Sequence, residues 1–200
     1  MDLFQNEHSL LNSFFRSTPC TIPIILIVIY IFTKNIFIYY LIIGWFLISL
    51  VIIMPLKEII FKLPGKYLSN IFQTDDFPLI GRFKRPEGAS NCDCFYVGPD
   101  NYALSQGMPS GHSILSGFVA VFMYNFIIDN YNIKSEYKPI VLFLSLFFIL
   151  YTMYSRVLMN CHTIQQTIFG AFIGSICGYY FYLYINNKIK KEKEKQKQKI

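Results

Sequence analysis

The feature that most restricts how this chain can fold is a series of apolar segments long enough to cross a membrane. The clearest is 36–56 (IFIYYLIIGWFLISLVIIMPL), which contains no charged residue. A helix needs roughly 20 apolar residues to cross the hydrocarbon core of a bilayer. Similar segments occupy 21–32, lengthened by 14–20, then 112–128, 139–154 and 165–185. The sequence therefore predicts an all-α integral-membrane bundle of about five spanning helices.

The last predicted span carries three glycines, Gly170, Gly174 and Gly178, at intervals of four residues. Residues four apart lie on one face of a helix, and small residues there let two helix backbones approach closely. We interpret this stripe as a packing surface rather than as part of a reactive site.

The composition agrees with a membrane protein and excludes a nucleic-acid-binding domain. Hydrophobic residues make up 54% of the chain and charged residues only 15%, whereas a soluble domain carries about 25% charged residues. Much of the net charge of +6 comes from a Lys/Glu/Gln-rich segment at 188–200. The basic residues are not interleaved with aromatics on one soluble face, as nucleic-acid binding would require. We predict a single transmembrane domain at 1–187 and a basic, disordered tail at 188–200.

One long polar loop, 57–109, separates the second and third predicted spans. Loops of this length are usually functional or disordered. Within it, 67–72 has the pattern of a short amphipathic helix on the membrane surface. Near the N-terminus, 10–15 is a candidate interfacial segment.

The distribution of lysines predicts the orientation in the membrane. A Lys-rich tail directly after the last span indicates a cytoplasmic C-terminus. Alternation of the spans then places the 57–109 loop and the 155–162 segment on the extracytosolic or lumenal side. Six basic residues in the long loop, among them Arg82 and Arg85, argue against this orientation.

The third span is preceded by Pro109-Ser110-Gly111-His112, here called the PSGH motif. The first N–H groups of a helix have no backbone partner and, with the helix dipole, bind anions. Gly111 lets a phosphate approach the backbone closely, and His112 beside it could protonate a leaving oxygen. The alternative is a simple capping turn with His112 at the membrane interface.

Ser155-Arg156 ends the fourth span and His162 begins the fifth; we call this the SR–His motif. A guanidinium makes a planar two-point contact with phosphate. Alternatively, Arg156 extends to water from the membrane boundary and His162 is an interfacial aromatic. Upstream, Arg85-Pro86 lies in the polar loop, where a solvated basic turn is the alternative.

Together the PSGH motif, the SR–His motif and the upstream Arg-Pro pair closely resemble the type 2 phosphatidic acid phosphatase family. The resemblance covers about 36–184. It implies an all-α membrane phosphatase that needs no metal and no cofactor, and whose partners are a lipid phosphate substrate and the membrane. The oligomeric state stays open.

The resemblance also implies residue roles. His162 resembles the nucleophile that takes the phosphoryl group, and His112 resembles the acid for the leaving group and then the base for water. The residues that resemble the phosphate cradle are Arg85, Ser110, Gly111 and Arg156.

The chain departs from the family pattern at two positions. The pattern has a lysine seven residues before the Arg of Arg-Pro, where this chain has Pro78. We expect Lys57, at the end of the second predicted span, to take that role, with Arg82 or Lys84 as alternatives.

The second departure is Gln166, where the family has an aspartate four residues after the nucleophile. Residues i and i+4 meet on a helix, so Gln166 can orient His162 by accepting its ring N–H. It cannot supply the negative charge that raises ring basicity. On this reasoning Gln166→Asp should keep or raise activity.

Gln166 and the Gly-Met-Pro-Ser sequence before His112 look most like the dolichyl diphosphatase branch. That branch removes a phosphate from a polyprenyl diphosphate on the lumenal side of the endoplasmic reticulum. The alternatives are a phosphatidate or lysophosphatidate phosphatase, and a catalytically silent lipid-binding relative.

Four of the five cysteines, Cys20, Cys92, Cys94 and Cys161, fall on the predicted extracytosolic side, and Cys177 falls inside a span. An oxidising compartment permits disulfides. Two readings stay open: free thiols, or a bridge from Cys92 or Cys94 to Cys161.

Overall fold

The computed structural model describes residues 17–72, 81–89 and 106–198, together with Phe14 and Phe77. It is 82% helix, and no strand occurs among those residues. The helices are α1 (Thr18–Thr33), α2 (Ile36–Phe72), α3 (Gly111–Asn130), α4 (Lys138–Leu158, preceded by a 3₁₀ turn at Ser135–Tyr137) and α5 (Ile164–Lys197). The predicted all-α fold class is confirmed.

Four of these helices, α2 to α5, are long and apolar enough to cross a membrane, and α1 is shorter at 16 residues. Large apolar side chains cover the outside of the bundle; Phe32 is 83% exposed and Tyr184 65% exposed. Water would disfavour so extensive an apolar surface, whereas lipid tails accept it. The chain is therefore an integral membrane protein with a helical bundle inside the bilayer.

Helix α2 is longer than the sequence predicted. The polar loop was expected to begin at Lys57, and a separate surface helix was expected at 67–72, but one helix continues to Phe72. Beyond the membrane-length part, Lys62 pairs with Glu58 one turn earlier, and such i,i+4 pairs support a helix. The predicted segment at 10–15 lies outside the described residues, apart from Phe14.

Two π-helical stretches, Ile48–Ile53 and Leu56–Phe61, interrupt α2. Pro55 lies between them, and a proline has no N–H to continue the α-helical hydrogen bonds. Widened turns of this kind are frequent at functional sites. Lys57 lies in the second stretch.

Helix α3 is the centre of the bundle, and it packs most extensively against α5. At Gly174 a Cβ atom would lie 1.9 Å from the Ile114 carbonyl oxygen, and at Gly178 it would lie 2.4 Å from that of Phe118. The glycine stripe therefore lets the two backbones touch, which confirms its predicted packing role. This contact fixes the ends of α3 and α5 relative to each other.

The tail differs from its prediction. The sequence indicated disorder at 188–200, but α5 continues as a helix to Lys197. Lys, Glu and Gln are good helix formers, and the spanning part of α5 supplies a ready nucleus that these residues extend.

We expect Gly174→Ala to destabilise the protein by about 1–3 kcal/mol, the usual cost of overpacking. Alanine favours a helix by about 1 kcal/mol over glycine, but its methyl group would collide with the α3 backbone. Thermal unfolding in detergent measures the effect, with the outward-facing Tyr180→Ala as control. A Gly174→Ala protein as stable as the parent would contradict the contact.

Candidate active site

The PSGH and SR–His motifs meet at one end of the bundle. Helix α3 begins there, α4 ends there and α5 begins there. The backbone N–H of Ser110 donates to the carbonyl of Gln166 at 3.1 Å. At Gly170 a Cβ atom would lie 2.5 Å from the Ser110 carbonyl oxygen. The first turns of α3 and α5 are therefore in direct contact.

Ser110 caps α3. Its extended backbone ends the preceding loop, and its hydroxyl accepts from the Ser113 hydroxyl at 3.1 Å and from the Ser113 N–H at 3.5 Å. The helix begins at Gly111, so the N–H groups of its first turn lie at the motif. A Cβ atom on Gly111 would lie 3.4 Å from the Ile53 side chain of α2. His112 is buried, with 8% of its surface exposed.

His162 lies in the short turn between α4 and α5 and is 3% exposed. Its backbone N–H and that of Cys161 both donate to the carbonyl of Arg156, at 3.3 and 2.9 Å. Its ring Nδ1 lies 2.9 Å from Oε1 of Gln166. An amide oxygen only accepts hydrogen bonds, so Nδ1 carries the proton and Nε2 carries the lone pair.

The orientation of the Gln166 amide follows from its other contacts. Its Nε2 donates to the carbonyls of Arg82 and Lys84 at 2.7 and 2.8 Å. Its Oε1 also accepts from the Thr163 N–H at 3.2 Å, which completes a capping box at the start of α5. Two carbonyls on one side and two N–H donors on the other allow only this assignment of oxygen and nitrogen.

Arg156 is fully buried at 0% exposure. Its Nε donates to the Ser155 hydroxyl at 3.4 Å, and its Nη2 lies 3.7 Å from the Met159 sulfur. The alternative in which Arg156 extends to water is therefore wrong. Its carbonyl and its charge both lie beside His162.

Burial lowers the pKa of His162 well below its usual range, and the positive charges of Lys57, Arg85 and Arg156 lower it further. The hydrogen bond to Gln166 opposes this shift. His162 is therefore neutral near pH 7. Lys57 contributes the most of the three charges, so α2 brings a cation to the same place as the motif arginines.

The 81–89 loop packs into the site beside the PSGH motif. The carbonyl of Phe83 accepts the N–H groups of Gly107 and Met108 at 2.8 and 3.0 Å. At Gly107 a Cβ atom would lie 2.6 Å from Nε2 of Gln166 and 2.9 Å from the backbone nitrogen of Arg85. Only glycine fits there without a shift. The loop thus holds Arg85, which is 6% exposed, close to Gln166.

Sequence reasoning missed Asn160. Its φ of 53° is left-handed, and its amide donates to the carbonyls of Glu87 and Gly88 at 3.1 and 3.2 Å. An asparagine in the turn between two predicted spans was the available signal, because Asn accepts positive φ more readily than most residues.

The cysteines correct one expectation. Cys20 and Cys161 each take part in a disulfide, and Cys177 is a free thiol. The free-thiol interpretation is therefore wrong for Cys20 and for Cys161. Pro78, Cys92 and Cys94 lie outside the described residues, so the predicted partner of Cys161 stays a prediction.

An apolar cavity of about 310 Å³ opens between α2, α3 and α5. Its lining includes Ile52, which adjoins the residue packed on Gly111, and Phe118, less than two turns below that glycine. Deeper in the bundle it reaches Gly44 and Cys177. Apolar space thus begins less than two turns below the PSGH motif and continues into the membrane region.

The chain matches the model of the PAP2 superfamily over residues 67–190, which is more than half of its 200 residues. Searches of curated proteins and of solved structures found no match. The matched region includes Arg85 and both motifs, while Lys57 precedes it. Its described residues include four membrane-length helices, and the chain is an integral-membrane member of the PAP2 superfamily, a family of phosphatases.

Proposed function

We propose that this protein hydrolyses the phosphate or diphosphate headgroup of a membrane lipid through a phosphohistidine, with a polyprenyl diphosphate such as dolichyl diphosphate as substrate. One observation carries the proposal. His162 is neutral and held by Gln166 at Nδ1, so that Nε2 keeps its lone pair among the charges of Lys57, Arg85 and Arg156.

In the first step, Nε2 of His162 attacks phosphorus, and the bond from phosphorus to the leaving oxygen breaks. His112 gives its proton to that oxygen. In the second step, His112 takes a proton from water, and the water oxygen attacks the phosphohistidine. Phosphate leaves and His162 is regenerated, so the covalent intermediate divides one difficult displacement into two easier ones.

The charge that develops on the phosphoryl oxygens needs fixed cations and N–H donors around it. Lys57, Arg85 and Arg156 would supply the cations, and the first turn of α3, from Ser110 and Gly111, would supply N–H donors. Positive charge from these residues makes a metal unnecessary in the proposed reaction. The assembly of all these groups also favours an enzyme over a silent lipid-binding relative.

A lipid substrate fits the surroundings of the site. The site lies at one end of a membrane bundle, and the apolar cavity reaches α3 at Phe118, less than two turns from Gly111. A headgroup at the cations would place its hydrocarbon chain beside that cavity.

Disulfides support the proposed orientation. They persist in oxidising compartments, and Cys161, next to His162, is disulfide-bonded. We therefore propose that the site faces the extracytosolic side or the lumen of the endoplasmic reticulum, and that the Lys-rich end of α5 is cytoplasmic.

The function is tested by phosphate release from the purified protein with polyprenyl diphosphates, phosphatidate and lysophosphatidate, in EDTA. We expect turnover with EDTA present and the highest kcat/KM for polyprenyl diphosphates. Preference for phosphatidate would reject the substrate while keeping the lipid phosphatase. Failure with every lipid would reject the function.

We expect His162→Ala to abolish turnover and to leave no phosphoenzyme that can be trapped by acid quench with labelled substrate. His112→Ala should be slower by about two to four decades, the usual contribution of an acid–base group. It should still form the phosphoenzyme with a leaving group that needs no protonation. Turnover by His162→Ala would remove this residue as nucleophile.

We expect Lys57→Met to lose most of kcat/KM and Lys84→Met to keep it. The charge of Lys57 acts on His162, whereas Lys84 contributes its backbone carbonyl to Gln166, which methionine would preserve. Steady-state kinetics on the two variants decide between the lysines. The opposite ranking would assign the phosphate contact to Lys84.

A further inference from the structure

We propose that Asn160 and Gln166 form a positioning clamp. Their amide side chains, one before and one after His162 in the chain, hold the 81–89 loop and so fix Arg85 relative to the nucleophile. The inference rests on the proposed function and deepens it. Neither residue is assigned a chemical step; both act through Arg85 and His162.

Gln166 makes the first contact of the clamp. One amide joins the ring of His162, at 2.9 Å, to the carbonyls of Arg82 and Lys84, at 2.7 and 2.8 Å. The side chain is completely buried, at 0% exposure, so losing any of these bonds would leave a polar group unsatisfied. The nucleophile and the loop therefore share one rigid connector.

Asn160 makes the second contact. Its amide donates to the carbonyls of Glu87 and Gly88, and the carbonyl of Pro86 also accepts the Ala89 N–H at 3.1 Å to close the turn. Asn160 lies two residues before His162 on the same turn. The loop is thus tied to the nucleophile turn a second time.

Arg85 lies between the two ties. The carbonyls held by Gln166 belong to residues 82 and 84, and those held by Asn160 belong to residues 87 and 88. Pro86, the next residue, has a fixed φ. A loop fixed on both sides of Arg85 cannot carry its guanidinium away from His162 without breaking one of the ties.

The clamp explains what an amide does here that a carboxylate cannot. A carboxylate at position 166 could accept from His162, but it could not donate to Arg82 and Lys84. Geometry therefore reverses the expectation from the sequence. Gln166→Asp should lose activity, because the shorter side chain also no longer reaches the loop that holds Arg85.

Asn160 is tested with two substitutions. Asn160→Asp keeps the shape and removes the donor, and Asn160→Gly keeps the left-handed backbone and removes the amide. We expect both to lower kcat/KM roughly 3- to 10-fold, the factor for one or two neutral hydrogen bonds. If Asn160→Gly has the kcat/KM of the wild type, only the backbone conformation matters at this position, and the clamp is overturned.

Coupling to Arg85 distinguishes positioning from general stability. In a double-mutant cycle on kcat/KM, Asn160→Asp should have little further effect once Arg85→Ala has removed the side chain that the clamp positions. Additive losses would mean that Asn160 acts elsewhere, and would overturn the proposal.

Gln166 is tested with Gln166→Glu and the matched control Gln165→Glu, an exposed neighbour. Among the residues that the structure describes, the charged groups that act on His162 are Lys57, Arg85 and Arg156. A carboxylate at 166 would favour the protonated ring and raise the pKa of His162. Phosphoenzyme formation needs the neutral ring. As the pH is lowered, its rate should therefore begin to fall at a higher pH in Gln166→Glu than in the wild type. In Gln165→Glu the rate should begin to fall at the same pH as in the wild type.

If the low-pH part of this rate profile is the same in Gln166→Glu as in the wild type, the contact between residue 166 and His162 has no role in the clamp. The clamp and the function fail separately. If the wild type turns over lipid phosphates and the clamp variants match it, only the clamp is rejected.

If the wild type has no activity, orthovanadate, a phosphate analogue, replaces the substrate. Its stabilisation of the wild type in a thermal-shift assay should weaken in Asn160→Asp and Gln166→Glu, and equal stabilisation, or none in the wild type, would overturn the clamp.

Discussion

The hydrogen bonds of Gln166 are the interaction on which the site depends. The side chain contacts the ring of His162 and the loop before Arg85, and the backbone carbonyl accepts the N–H of Ser110. Three segments that are far apart in the chain therefore meet at one residue. Because the residue is completely buried, water cannot replace these bonds, and the position of each segment depends on the other two.

Close helix packing makes that meeting possible. The α3 and α5 backbones touch along the glycine stripe, so the first turns of both helices lie side by side at one end of the bundle. Larger residues at Gly170 or Gly174 would separate the helices and move Ser110 away from Gln166. Packing in the membrane and geometry in the site are thus one constraint.

Burial and charge then determine the protonation state of the proposed nucleophile. His162 loses its contact with water, and three cations surround it, so its pKa falls and the ring stays neutral. The same cations would attract the phosphate of a lipid headgroup. A neutral amide at position 166 orients the ring without cancelling this positive field, whereas an aspartate would add a negative charge to it.

The sequence by itself determined the helical membrane fold, the glycine packing surface and the identity of the PSGH and SR–His motifs. These features are local: hydropathy, four-residue spacing and short motifs act within one helix or turn. The continuation of α2 past Lys57 and of α5 to Lys197 was missed, because helix formers next to a stable span extend it and polar composition does not mark the end.

Only the tertiary structure decided how the motifs act together. The bonds from Gln166 to Arg82 and from Asn160 to Glu87 join residues more than 70 positions apart, and no spacing rule connects them. The charge of Lys57 reaches His162 only because α2 passes beside the α4–α5 turn. Hydrogen bonds and electrostatic effects depend on distance in space, and that distance exists only after the helices have packed.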